Sequence, residues 1–296
     1  MELQGKRALV TGITGTVGSR IAHRLLADGM QVRALVRRPG VVAECAGQNV
    51  EWVQGDLTDA ASVAAAVADC QLIVHAAAYI GADPDLSQCT NVAGTKNMVA
   101  AALRAAPELF VHISTISVYD LYHHEEFDES SPLCSDAKNS YQATKTEAER
   151  VVWAGAEAGL PLLVIRPCNI LSVHPTSHWG PKTLQRVAEG FHRWHPEGSF
   201  PWIHIDNLTD LFSLAVGTPA AVGQAYTATD GHVTNADYFG RIARWVGNTT
   251  PPDGPLQRWH FHVEKNLSLG YTPRVTFAAA MAELEACARA MGYRGA

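Results

Sequence analysis

A chain of 296 residues with 47% hydrophobic and 18% charged side chains can bury a large core, as one big α/β domain or two unequal ones. A formal net charge of −6 with scattered Lys and Arg argues against nucleic acid or an anionic membrane as partner, and no stretch approaches a membrane span or a signal peptide. Six cysteines without paired spacing read as reduced thiols, and the expected compartment is the cytoplasm.

Arg7-Ala-Leu-Val-Thr11 predicts a strand, and Gly12-Ile-Thr14-Gly15-Thr16-Val17-Gly18 leads into a helical pattern (Ile21, Leu25, Leu26) that ends at Gly29. Strand, glycine turn and helix in that order are the setting of a dinucleotide fingerprint. The glycines serve the tight turn, the approach of backbone to a pyrophosphate and the packing of helix on strand. The helix N-terminus offers free N–H groups and a partial positive charge. Gln31–Val36 predicts the second strand. Where an NAD site carries Asp or Glu for the ribose 2′-hydroxyl, this chain has Arg37-Arg38-Pro39. A guanidinium fits a 2′-phosphate, so Arg37 favours NADP, with NAD the alternative.

The third strand starts at Val50 and runs through Asp56 and Leu57 into a helix start, and Gln71–Ala78 predicts the fourth. The small residues Ala76, Ala77 and Ala78 let a flat group approach that strand end. Asn91 falls in the next helix, and the strand Glu108–Ile113 delivers Ser114 and Thr115. After a polar loop (about 121–139), a helix carries Tyr141 and Lys145. Four apart, they share a helix face with about 6 Å between Cβ atoms. An ammonium there favours the phenolate, and moving a phenol from pKa about 10 to about 7 takes roughly 4 kcal/mol. Leu162–Pro167 predicts the sixth strand and leads to Asn169.

Strands alternating with helices specify an α/β fold, a doubly wound parallel sheet of Rossmann type. Ligands of such sheets bind at the carboxyl ends of the strands. Gly12–Gly18, Arg37, Asp56, Ala76, Thr115 and Asn169 all fall at such ends. Residues 1–169, with about 203–246, read as the NAD(P)-binding domain. About 170–202 and 247–296 read as a smaller substrate-binding lobe, in which Trp179, Phe191, Trp194, Phe200 and Trp202 offer an apolar lining. His174, His178, His192 and His195 lack a carboxylate cluster and His123-His124-Glu125-Glu126 reads as a solvated loop, so no metal site is expected.

The chain resembles the extended short-chain dehydrogenase/reductase family from end to end. Matching blocks are T-G-I-T-G-T-V-G, G-D-L-T-D, H-A-A-A, N-V-A-G-T-K-N, S-T-I-S-V-Y, Y-Q-A-T-K, R-P-C-N-I-L, I-H-I-D-N-L and L-G-Y-T-P. The resemblance implies an NAD(P)-dependent enzyme with a Thr115–Tyr141–Lys145 centre. Ser114 is the alternative to Thr115, and Asn91 matches the helix Asn that positions the lysine. The resemblance adds Pro167 and Asn169 to the cofactor set. Asn169, Ser114, Thr115, Tyr141, Trp179 and Trp202 form the substrate set, and relatives suggest a homodimer. In nucleotide-sugar epimerases and dehydratases an Arg holds the diphosphate where Phe200 stands here. The later blocks look more like the 3β-hydroxysteroid dehydrogenase-like and ketone reductase branches. The expectation is therefore an NADP(H)-dependent oxidoreductase interconverting a carbonyl and a secondary alcohol on an apolar small molecule. The alternatives are a nucleotide-sugar epimerase or dehydratase with tightly bound NAD, and a non-catalytic sensor.

Overall fold

Strand β1 (Arg7–Thr11) is buried along four of its five residues, as a strand with neighbours on both sides and helices on both faces must be. The computed structural model describes residues 3–39, 45 and 47–295. After β1 come α1 (Thr16–Ala27), β2 (Gln31–Val36), β3 (Val50–Gln54), α2 (Ala60–Val67) and β4 (Leu72–His75). Next are α3 (Pro84–Ser87), a π-helical stretch (Gln88–Ala93), α4 (Gly94–Ala105), β5 (Leu109–Ile113) and β6 (Glu126–Phe127). Helix α5 (Ser140–Glu157) precedes β7 (Leu162–Pro167), β8 (Asn169–Leu171), α6 (Pro181–Ala188), β9 (Ser199–His204) and α7 (Ile205–Gly217). The chain closes with β10 (Gln224–Ala228), β11 (Gly231–Thr234), α8 (Asn235–Val246), β12 (His260–Phe261), α9 (Glu264–Ser268) and α10 (Phe277–Ala290).

The chain divides into two compact units, each gathered from separate stretches. Residues 1–120, 131–166 and 211–226 make the first. Its seven-stranded sheet has the order β10-β7-β5-β4-β1-β2-β3, and the ladders from β7 across to β3 are parallel. The chain builds outward through β2 and β3, then reverses at β4, so the topological switch lies between β1 and β4. One core cluster joins Leu9, Ile73, Phe110 and Val164 of the strands to Met98 and Val99 of α4 and Val152 of α5. Asp59 caps α2 and Asn139 caps α5 by accepting from backbone N–H groups of their first turns.

The second unit comprises residues 121–130, 167–210 and 227–296. It holds a three-stranded sheet, β11-β9-β8, and a two-residue parallel ladder of β6 with β12. Its core packs Leu184, Phe200, Tyr238, Ile242 and Leu284 together. Helix α8, grouped with the nucleotide domain from sequence, packs here against α6 and α10. A capping box (Thr234 and Asp237) starts that helix and left-handed Gly247 ends it. Among the described residues no helix is long and apolar enough to cross a membrane.

Candidate active site

The glycine turn shows why no larger residue fits it. Gly12 has φ +72°, and a Cβ there would lie 2.8 Å from the Ala77 backbone at the end of β4. A Cβ on Gly18 would lie 2.2 Å from the Gly12 carbonyl oxygen. Gly15 N–H donates to that same carbonyl (2.9 Å), and α1 then starts at Thr16 with no side-chain cap. The positive end of α1 faces this turn, a setting that suits an anion, with Thr14 exposed and Thr16 and Val17 half-buried around it. Gly12 therefore sits tight against Ala76 and Ala77, with half-buried Ala78 beyond them.

Arg37 and Arg38 are exposed just past β2. Asp56 accepts from the Thr58 N–H and hydroxyl at 2.9 and 2.8 Å, which holds its carboxyl below the usual range, and the Arg37 charge adds to the effect. Leu57 is buried, and its carbonyl accepts from Asn97 (2.8 Å). These groups fit a dinucleotide: small residues at the strand ends, the positive end of a helix, and a cation past β2 in place of a carboxylate.

Thr115 leaves β5 in extended conformation, and its hydroxyl accepts from Ser117 N–H (3.2 Å), capping a short 3₁₀ turn. Its hydroxyl also bears on Tyr141, whose pKa it tends to lower. Lys145 is 3% exposed, and its ammonium donates to the Ile113 carbonyl (2.9 Å). Burial pushes the Lys145 pKa down to about 8, with Glu149 opposing. The spacing argument has Lys145 lowering the Tyr141 pKa. In the structure burial raises it instead, and the opposing influence is the Thr115 hydroxyl.

Ser114, next along the chain, is buried and donates to Glu149 (2.5 Å). Successive residues of an extended segment point to opposite sides, so Ser114 and Thr115 do different jobs. Glu149 also accepts from Arg166 (2.6 Å), which donates in turn to the Tyr119 hydroxyl (2.8 Å). This buried network was not read from sequence. Its only signal is an acid two helical turns beyond Tyr141, on the face that carries Lys145.

Asn91 is fully buried in the π-helical stretch. Its side chain accepts from the Tyr79 N–H (2.7 Å) and donates to the Tyr79 carbonyl and the Thr144 hydroxyl, both at 3.0 Å. It thereby fixes α5 one residue before Lys145. Behind it runs an ordered chain: Ala77 N–H donates to the Thr11 hydroxyl, which donates to His75 Nδ1 (2.9 Å). His75 Nε2–H donates to the Thr95 hydroxyl (3.0 Å), and Thr95 donates to the Asn91 carbonyl (2.6 Å). The chain requires a neutral His75, and burial pushes its pKa down to about 3, with the Lys145 charge adding to the effect.

The remaining expected residues, Pro167, Asn169, Trp179 and Trp202, lie in the second unit. Asn169 opens β8, half-buried. Trp179 stands edge-on to Phe200 (5.4 Å) and Trp202 is buried against Phe277 (5.2 Å), so both pack in that unit's core. Asp230 draws the later sequence blocks together: it accepts from the Tyr271 hydroxyl, Asn207 (2.7 Å) and the His204 N–H (2.9 Å). Two of the matched blocks, I-H-I-D-N-L and L-G-Y-T-P, therefore meet at one half-buried carboxylate.

Residues 8–228 match the model of the NAD dependent epimerase/dehydratase family. The chain belongs to this family. Among curated relatives, the low-salt glycan biosynthesis protein Agl12 of Haloferax volcanii is 31% identical over 94% of this chain and 96% of its own. The 3 beta-hydroxysteroid dehydrogenase/Delta 5→4-isomerase of Mycobacterium tuberculosis is 32% identical over 86% of this chain and 74% of its own. The solved structure of DesIV, the dTDP-glucose 4,6-dehydratase of Streptomyces venezuelae with NAD and TYD bound, superposes with a TM-score of 0.81. It is 26% identical, covering 97% of this chain and 98% of DesIV. This epimerase/dehydratase family member is thus an enzyme of the extended short-chain dehydrogenase/reductase type, whose family binds a nicotinamide cofactor.

Proposed function

We propose that the protein is an NADP(H)-dependent oxidoreductase that interconverts a carbonyl and a secondary alcohol on an apolar small molecule. The observation that carries this reading is Tyr141 one turn before buried Lys145 on α5, with Thr115 capping the turn after β5 and no carboxylate among residues 116–118. Eliminating water from a sugar needs a further acid and base. Glu149, four residues beyond Lys145, is committed to Arg166 and Ser114. A proton delivered to, or taken from, a single oxygen needs only Tyr141. Phe200, where nucleotide-sugar relatives carry a diphosphate-binding Arg, stacks on Tyr238 at 3.9 Å.

Tyr141 acts as acid in reduction and base in oxidation, and Thr115 orients the substrate oxygen. Lys145 holds the nicotinamide ribose, while Asn91 keeps α5 in place. The α1 N-terminus holds the pyrophosphate, and Arg37 takes the 2′-phosphate. The nicotinamide supplies the redox chemistry when bound.

The test is a fluorescence titration of NADPH and NADH with a screen of carbonyl compounds. NADPH is expected to bind at least about tenfold more tightly, and Arg37→Asp to invert the ratio. Tyr141→Phe is expected to keep cofactor affinity and lose about a hundredfold or more in kcat. Equal affinities, or NAD retained through purification without net turnover, would favour a nucleotide-sugar epimerase or dehydratase. The full-length similarity to Agl12 and DesIV supports that second reading.

A further inference from the structure

The second unit carries a cluster of imidazoles and carboxylates that the chemistry above does not use. Strands β6 and β12 pair in parallel with His260 opposite Glu126 and Phe261 opposite Phe127. The two Phe rings stack at 5.0 Å and are buried, so one side of this ladder is anchored in the core. Pleat alternation sends Glu126 and His260 to the other side, and His262, two residues on, joins them. Backbone bonds hold the ends: His260 N–H donates to the Glu125 carbonyl (2.7 Å) and His262 N–H to the Phe127 carbonyl (2.8 Å).

We propose that Glu126, His260 and His262 form a binding site for a divalent transition metal of the zinc class, clasping residues 121–130 to the segment around 260–264. One ligand atom from each of the three lies within 4.8 Å of the other two. His262 Nε2 and Glu126 Oε2 are 3.1 Å apart, whereas donors on a tetrahedral zinc stand about 3.4 Å apart. The longer separations close by roughly 1.5 Å through rotation of exposed side chains. Two imidazoles and one carboxylate suit zinc, cobalt or nickel better than magnesium or calcium, and three protein ligands leave one position open.

Two features beyond the donor set point the same way. The far ring nitrogen of His262, Nδ1, faces Glu264 at 3.8 Å. An outer carboxylate of this kind orients a metal-binding histidine and strengthens its other nitrogen as a donor. The His260 ring stacks on His232 at 4.8 Å, and His232 is itself fixed by accepting from the Phe261 N–H (3.0 Å). The sequence reading takes 123–126 as a solvated loop; in the structure its partner segment lies more than 130 residues along the chain.

The full chain, stripped with chelator, is titrated with Zn²⁺ by calorimetry and with Co²⁺ by visible absorption at pH 7.5. One equivalent is expected with Kd below about 10 µM, together with a Tm raised by several degrees at a hundredfold excess over Kd. Glu126→Gln and His262→Gln should each abolish the rise in Tm, and Glu264→Gln should weaken binding about tenfold. His192→Gln and His195→Gln, placed elsewhere in the same unit, should change nothing. Absence of saturable binding would mean that the 3.1 Å contact is an ion pair only. That result, or binding that survives both ligand variants, overturns the site.

Discussion

Lys145 is a cation held where water cannot reach it, with one carbonyl for company. Its pKa is about 8 when folded, against an ordinary value of 10.5. Between those values the unfolded chain binds more protons, so this residue makes stability rise with pH and withdraws that support as pH falls through 8. Comparing wild type with Lys145→Met in urea at pH 8 and pH 10 should move the difference in wild type's favour by about 2 kcal/mol. Parallel behaviour of the two proteins would mean that Lys145 is better solvated than its burial implies. Tyr141 and Lys145 are legible in the sequence because four-residue spacing fixes a shared helix face. Glu149 and Ser114 are not, because an acid on a helix and a serine in a loop look alike whether solvated or buried. What separates them is Arg166, on the neighbouring strand, and no local pattern announces it.

Helix α5 is fastened to the sheet by charge as well as by apolar packing. Glu149 is fully buried and Arg166 nearly so, and removing one partner strands the other's charge. Glu149→Gln should therefore cost about 3–5 kcal/mol in urea denaturation. Glu147→Gln, two residues earlier in an exposed pair with Lys96, should cost under about 1 kcal/mol. Equal losses would show that the buried pair adds nothing beyond packing. Elements with their own punctuation are legible in sequence: Thr234 with Asp237 and Gly247 mark the two ends of α8. The two-residue strands β6 and β12 were missed, since each exists only through the other, far along the chain. The π-helical stretch around Asn91, whose side chain bonds Tyr79 and Thr144, reads as plain helix from sequence.

For the whole molecule, two buried histidines set a limit on acid. Burial lowers the pKa of His75 and of His112, and neither ring nitrogen of His112 has a hydrogen-bond partner. The unfolded chain protonates such residues from about pH 6.5 downward while the folded one resists. Each therefore contributes stability that is present above 6.5 and lost as pH falls. For His75 alone the loss is about 3 kcal/mol between pH 6.5 and pH 4. His112→Phe should gain on wild type steadily across that range in urea midpoints. A constant gap would absolve His112. The two units are interleaved along the chain. Each is stitched from three stretches of chain, so neither could be donated to another gene as a single cassette. A protease that nicks one connection therefore frees no complete unit.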